Sequence, residues 1–293
     1  MLAMAALLPA AEPIRLILHA DDVGMSHSTN RAVIEMLEAG AVSSASIMMP
    51  CPWVSEIAEY ARQHPEKDLG LHLTLTSEWR LYRWGPVAPR DKVPGLLDPD
   101  GFLWRRVEDV ATHATAAEVE AELRAQIARA KQLGIRFTHF DTHMGTLYAR
   151  PDYFQVFEKL GREFEVPILR MKPHPALGSE APKAMMDWLA ANEERFQREG
   201  YFRLDMLLTN PSRGVAEQGA RRAAYHAALR ALQPGVTMMI LHPAVLDEEL
   251  RAVTGSHMQR NGDYRIFLEP ETRDLMRSLG IQLVGWRDVV GRH

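Results

Sequence analysis

From residue 14 onward the hydrophobic positions of this chain alternate between two rhythms. Short apolar runs of strand length recur: "IRLILHA" (14–20), "SASIMM" (44–49), "LGLHLTL" (69–75), "RFTHFDT" (136–142), "PILRM" (167–171), "FRLDMLL" (202–208), "TMMILH" (237–242) and "IQLVGW" (281–286). Most are separated by stretches with helical spacing. In "STNRAVIEMLEAG" (28–40), Ala32, Val33, Met36 and Leu37 make one apolar stripe, with Ser28 expected as the N-cap and Gly40 as the stop. A helix is also expected through "VSEIAEYARQ" (54–63). "TAAE" (115–118) has the Thr-x-x-Glu form of a capping box, and Val119, Leu123, Ile127 and Ala130 follow it at helical spacing.

Strand–helix alternation sustained over the whole chain predicts a parallel sheet with helical crossovers. About seven to eight such units without a linker-like break favour a closed (β/α) barrel over an open doubly wound sheet, with residues 14–293 forming one domain. No Gly-x-Gly-x-x-Gly turn follows the first strand, so a dinucleotide fold loses its main support. The stretch from about Ser77 to Thr112 breaks the rhythm. It is rich in Pro, Gly, Trp and Arg and is too long for an ordinary connector.

In a parallel (β/α) barrel the active site lies at the carboxyl ends of the strands. The residues delivered there are unusual. The first run ends at the adjacent carboxylates Asp21 and Asp22, the third carries His72, the fourth ends in "HFDTHMG" with Asp141 and His143, the fifth supplies Arg170, and the run ending at 242 delivers His242. Any one of these has an ordinary explanation, as a capping carboxylate or a hydrogen-bonded core histidine. Repeated arrival of carboxylates and imidazoles at one rim, from strands far apart in sequence, points to a site. Two imidazoles and one carboxylate suit a divalent metal ion with positions left open. A cation also explains the paired aspartates: one binds the ion, the other takes a proton, and the positive charge offsets their repulsion. A histidine on the opposite side, His242, could protonate a leaving group.

Composition narrows the classes further. The 293 residues are 46% hydrophobic and 25% charged with a net charge of −4, the profile of a soluble globular protein. With a sequence pI near 6.3 and basic residues in small groups without interleaved aromatics, a nucleic-acid partner is not expected. One cysteine, Cys51, excludes an intrachain disulfide and a cysteine-based zinc site. The opening "MLAMAALLPAAEP" is read as a loose N-terminal tail in a cytoplasmic protein, or as the remnant of a signal peptide in a periplasmic or secreted one. No segment is long and apolar enough for a membrane helix, so no membrane partner is expected.

The motifs "ILHADDVGMSHSTNRAV", "LGLHLTLT", "FTHFDTHMGTLYARPDYF", "ILRMKP" and "MMILHPAVLDEEL", in that order, resemble the YdjC/ChbG family of carbohydrate deacetylases, and the resemblance runs from about Ile14 to Val290. It implies a distorted (β/α) barrel and removal of acetyl groups from N-acetylated sugars or oligosaccharides with one divalent metal ion, zinc or magnesium. Carried onto this sequence, it implies Asp22, His72 and His143 as metal ligands, Asp21 as general base, His242 as general acid and Arg170 as a site-facing residue that orients Asp21 or contacts the sugar. One departure is that Gly145 stands where many members have a further histidine. Under this reading Trp79, Tyr82 and Trp84 of the irregular stretch belong either to a sugar-stacking lid or to ordinary packing, and His19, His139 and Asp141 either orient the ligands or pack. A metal-dependent phosphoesterase or sugar isomerase and a non-catalytic sugar-binding protein stay as alternatives, and a homodimer stays open.

Overall fold

A computed structural model describes residues 12–170 and 182–290. The strands are β1 (Ile14–Val23), β2 (Ser44–Ile47), β3 (Leu69–Leu73), β4 (Phe140–Thr142), β5 (Met206–Leu208), β6 (Gly235–Leu241) and β7 (Gln282–Leu283). All pair in parallel, in the order β4-β3-β2-β1-β6-β5, with β7 beside the start of β1. Helices α1 (His27–Glu38), α2 (Val54–Gln63), α3 (Val107–His113), α4 (Ala116–Gln132), α5 (Pro151–Glu163), α6 (Lys183–Ala191), α7 (Glu193–Arg198), α8 (Gln218–Arg230), α9 (Glu248–Val253), α10 (His257–Leu268), α11 (Pro270–Ser278) and α12 (Trp286–Val289) lie between and after the strands, with short 3-10 turns at Arg90–Lys92, Pro94–Leu96 and His143–Tyr148. Both faces of the sheet are covered, which is why β1, β2, β3 and β6 read as nearly unbroken apolar runs and are buried throughout apart from the first residues of β1.

Among the described residues the closed ring of seven to eight strands is not formed. The sheet curls, but the fifth run, expected over 167–171, makes a single bridge, Ile168 to Phe140, and its last residue lies outside the described residues. The Arg170 carbonyl then accepts one hydrogen bond from the Leu204 N–H (2.9 Å) in place of a ladder. Pro167 contributes a carbonyl but no N–H, which shortens the ladder on that side. On the other side the Asp205 carboxylate, not a backbone group, takes the Val236 N–H (2.7 Å). Among the described residues the result is a curled parallel sheet of seven strands, a distorted barrel without full closure.

Local signals were followed closely, with one shift. The capping box at Thr115 and Glu118 is formed, and Val119, Leu123, Ile127 and Ala130 are buried. α1, however, is capped by Ser26, whose hydroxyl accepts the Thr29 N–H (3.1 Å). Ser28, expected in that role, lies inside the helix with its hydroxyl against the Asp247 and Glu249 carboxylates. The 77–112 stretch is packed rather than loose: Trp84 is buried and donates to the Thr76 carbonyl (2.9 Å), and Glu122 of α4 receives the N–H groups of Val87 and Ala88. The expected tail, 1–13, lies almost wholly outside the described residues. No helix among the described residues is long and apolar enough to cross a membrane.

Candidate active site

β1 runs past the apolar residues to include both aspartates, and there it bulges. Ala20 pairs with Ala45 and Val23 with Ile47, so three steps on β1 face two on β2. In a regular strand, neighbours point to opposite faces. The extra residue, with Asp22 in the left-handed region (φ 64°), turns the second carboxylate back toward the side its neighbour faces. Aspartate is one of the few residues besides glycine that take this conformation readily, so the bulge can form without a glycine at this position.

The other donors arrive by register. His72 of β3 sits opposite Asp141 of β4, and its Nδ1 lies 2.7 Å from Asp141 Oδ1. His143 opens a tight 3-10 turn in which Met144 and Gly145 both have positive φ. Its Nε2 lies 3.0 Å from Glu78 Oε2, from the irregular stretch. Each imidazole thus gives one nitrogen to a carboxylate and turns the other inward.

Three inward atoms converge. His72 Nε2 and His143 Nδ1 are 3.2 Å apart, and Asp22 Oδ1 stands 3.5 Å and 3.3 Å from them. In a tetrahedral site with bonds of about 2.0–2.1 Å, neighbouring ligand atoms are roughly 3.3 Å apart. Among the described residues Asp22 Oδ1 is buried and has no hydrogen-bond partner, while Asp22 Oδ2 accepts from Arg260 Nη2 (2.6 Å). An orphaned buried carboxylate oxygen facing two imidazole nitrogens fits a divalent cation. Asp141 is a poorer donor because His72 and His19 already occupy both of its oxygens.

The electrostatics agree. Burial opposes ionisation of Asp22, but the Arg260 guanidinium and the His143 imidazole hold it well below the usual carboxylate range. Burial likewise opposes charge on His143, yet Glu78 and Asp22 raise it to about 10, and Asp141 and Asp21 raise His72 against the same opposition. The carboxylates that raise these imidazoles would also favour a divalent cation between them, which would displace their protons.

Asp21 and His242 stand beside the triad. Asp21 Oδ2 is 3.7 Å from His72 Nε2 and 3.9 Å from His242 Nε2, and the His242 side chain is about one-third exposed. The His242 backbone is held by Asp263, which accepts its N–H (3.1 Å). Arg170 is elsewhere. Its guanidinium pairs with Glu158 of α5 and lies over Phe196 (4.3 Å) and Tyr201 (4.6 Å), so it is buried in the helical layer. Among the described residues it makes no contact with Asp21, and the position expected of it beside the base is not the one it holds.

Two site residues were not singled out from sequence: Glu78 and Arg260. Glu78 sits in an aperiodic stretch, and Arg260 reads as one more basic residue on a helix. Only the fold brings Arg260 across 238 residues to Asp22. Trp79, half-buried, lies under the Arg260 guanidinium (5.4 Å) and beside Trp84 (5.4 Å). An open cleft of about 560 Å³ starts at Glu78 and Met144 and continues past Trp104, Arg105 and Asp109. His139, by contrast, packs: it stacks on Trp286 (4.9 Å) and faces Asp68.

Fold and site together define an α/β protein that carries, at the carboxyl ends of its parallel strands, an aspartate–histidine–histidine cluster with a second carboxylate and a third histidine alongside. The model of the YdjC-like protein family matches residues 15–278, and the chain belongs to that family. It is 32% identical to a carbohydrate deacetylase of Thermus thermophilus over 89% of each chain. It is 29% identical to one of Brevibacillus brevis over 94% of this chain and all of that one. A solved structure from Enterococcus faecalis, assigned to cellobiose-phosphate cleavage, superposes with a TM-score of 0.77 at 23% identity, covering 94% of this chain and 98% of that one.

Proposed function

We propose that this protein is a carbohydrate N-deacetylase that hydrolyses the acetamide of an N-acetylated sugar or oligosaccharide to acetate and a free amine, with one divalent cation held by Asp22, His72 and His143. The observation that carries the reading is the orphaned Asp22 Oδ1 at 3.5 Å and 3.3 Å from two imidazole nitrogens, with Asp21 beside it. The names of the relatives support it. A donor set with two imidazole nitrogens favours zinc or another first-row ion over magnesium, which prefers oxygen ligands.

When bound, such a cation polarises the acyl oxygen and makes water easier to deprotonate. The remaining steps belong to the chain. Asp21 accepts the proton of the attacking water as the new C–O bond forms at the acyl carbon. His242 gives a proton to the sugar nitrogen as the C–N bond breaks, since an amide nitrogen leaves poorly as an anion. Arg260 keeps Asp22 ionised and fixes its second oxygen, and Glu78 and Asp141 orient the two imidazoles. The cleft beyond Glu78 offers an aromatic ring and hydrogen-bonding side chains, the mixture that receives a sugar.

An acetate-release screen over N-acetylated mono- and oligosaccharides, with zinc and with chelator, tests the reading. Chelator-sensitive acetate release that falls by about 100-fold or more in Asp21→Asn, at unchanged metal content, is expected. Turnover of Asp21→Asn near the parental rate would remove the base from the mechanism. Release of phosphate without acetate would replace the deacetylase by a phosphoesterase.

A further inference from the structure

Beneath the rim, on the inner side of the sheet, lies a histidine that the mechanism above leaves unused. His19 of β1 is completely buried, and both ring nitrogens are engaged. Nδ1 is 2.9 Å from Ser44 Oγ, and that hydroxyl donates its own hydrogen to Asp68 Oδ1 (3.0 Å). The hydroxyl therefore presents a lone pair to the ring, and Nδ1 must carry a hydrogen. Nε2 is hydrogen-bonded to Asp141 Oδ2 (3.0 Å), a carboxylate oxygen that only accepts, and it also lies 3.1 Å from the Ser46 hydroxyl and, as an ion pair, 3.1 Å from Asp21 Oδ1. Nε2 must carry a hydrogen as well. The ring is thus a buried imidazolium; although burial opposes the charge, Asp141 and Asp21 raise its pKa to about 9.

The Ser46 hydroxyl donates to Asp21 Oδ1 (3.4 Å), and the His19 ring pairs electrostatically with the same oxygen at 3.1 Å. The other oxygen, Oδ2, is left facing His72 and His242. We propose that His19 is the positioning residue of the base: it pins Asp21 Oδ1 from below, so that Oδ2 is the oxygen that takes the proton, and it ties this carboxylate through Asp141 to the residue that orients His72. The proposal rests on the deacetylase reading of the site. Its content is that one buried cation sets the rotation of the base relative to the metal ligands, and that the hydrogen-bond donor at Nε2, rather than the bulk of the ring, does this.

The test compares His19→Met, which fills similar volume without a donor, with His19→Gln, whose amide nitrogen reaches toward the Nε2 position. In the zinc-loaded enzyme, His19→Met should lose about 100-fold in kcat with KM and bound zinc unchanged, because a displaced base costs rate and not ground-state affinity. His19→Gln should recover about tenfold of that loss. Three results would overturn the proposal: a kcat in His19→Met within about threefold of the parent, equal impairment of the two variants, or loss of zinc in His19→Met, which would make the residue a support of His72 alone. If His19→Met does not fold, Ser44→Ala decides: removing the partner of Nδ1 should lower kcat by about fivefold at constant KM, and an unchanged kcat refutes the idea. Asp21→Asn is run in parallel. An active Asp21→Asn defeats the reading of the function, whereas an inactive Asp21→Asn beside a fully active His19→Met defeats only the role of His19.

Discussion

Arg260 provides the sharpest test of how the site is balanced. Its guanidinium holds Asp22 Oδ2 at 2.6 Å, on the side away from the two imidazoles, and the two side chains are 8% and 1% exposed. Arg260→Met keeps most of the volume and removes the charge. Breaking one side of a buried pair leaves an uncompensated ion and costs about 3–5 kcal/mol. For a chain of this size, roughly 2 °C of melting temperature is lost per kcal/mol, so a fall of about 6–10 °C is expected in chelator. A divalent cation at Asp22 Oδ1 restores a positive partner, and the deficit should shrink by about half or more when zinc is added. Removing the acid as well, in Asp22→Asn/Arg260→Met, should cost less than the two single losses added, with a coupling of about 1–3 kcal/mol. Differential scanning calorimetry of the four proteins, with and without zinc, measures all of this. An equal deficit in chelator and zinc, together with additive losses, would refute the reasoning and reduce Arg260 to a packing partner of Trp79.

The remaining expectations follow from other contacts. Glu78→Ala removes the partner of His143 Nε2 and should weaken zinc binding by about 10- to 100-fold in a chelator competition, whereas unchanged affinity would confine Glu78 to the cleft wall. Arg170→Met removes one of the two guanidiniums on Glu158 and leaves Arg195 Nη2 on its other oxygen (3.0 Å), so stability should fall by about 1–3 kcal/mol while kcat per folded molecule is unchanged; a selective loss of kcat would return Arg170 to the site. Burial alone would raise Asp68, but His139, the Thr138 hydroxyl and the Arg287 N–H bring it down to about 2. Its folded pKa is depressed, so its contribution of roughly 2 kcal/mol is present above pH 4 and lost as pH falls toward 2. Asp68→Asn should therefore be less stable at pH 7 and show a shallower acid transition in that window, and a parental acid profile would contradict the assignment.

Much of this was legible along the chain. The alternation of runs marked seven of the eight expected strands, and the capping box located α4. The residues at the carboxyl ends of β1, β3 and β6 and in the turn after β4 marked Asp21, Asp22, His72, His143 and His242 as one cluster, and these are the residues the structure brings together. Arg170 was misplaced because strand position alone does not reveal that Glu158, Phe196 and Tyr201 form a pocket for a guanidinium outside the sheet. The run at 167–171 was misread for a related reason: a run of apolar residues does not show whether its neighbour offers a ladder.

The sequence by itself determined periodicity, and with it the order of strands and helices, because the steric repeat of each element is written in neighbouring residues. It also determined which chemical groups are available at the ends of the runs. Tertiary structure alone decided that two adjacent aspartates face the same side, since this needs the mismatch of β1 against β2 and the left-handed Asp22 that accompanies it. It alone supplied Arg260 and Glu78 as partners and set His19 against Asp21 and Asp141, because a buried charge is stabilised by whatever the chain carries to within about 3 Å, however remote in sequence, and no local pattern encodes that distance.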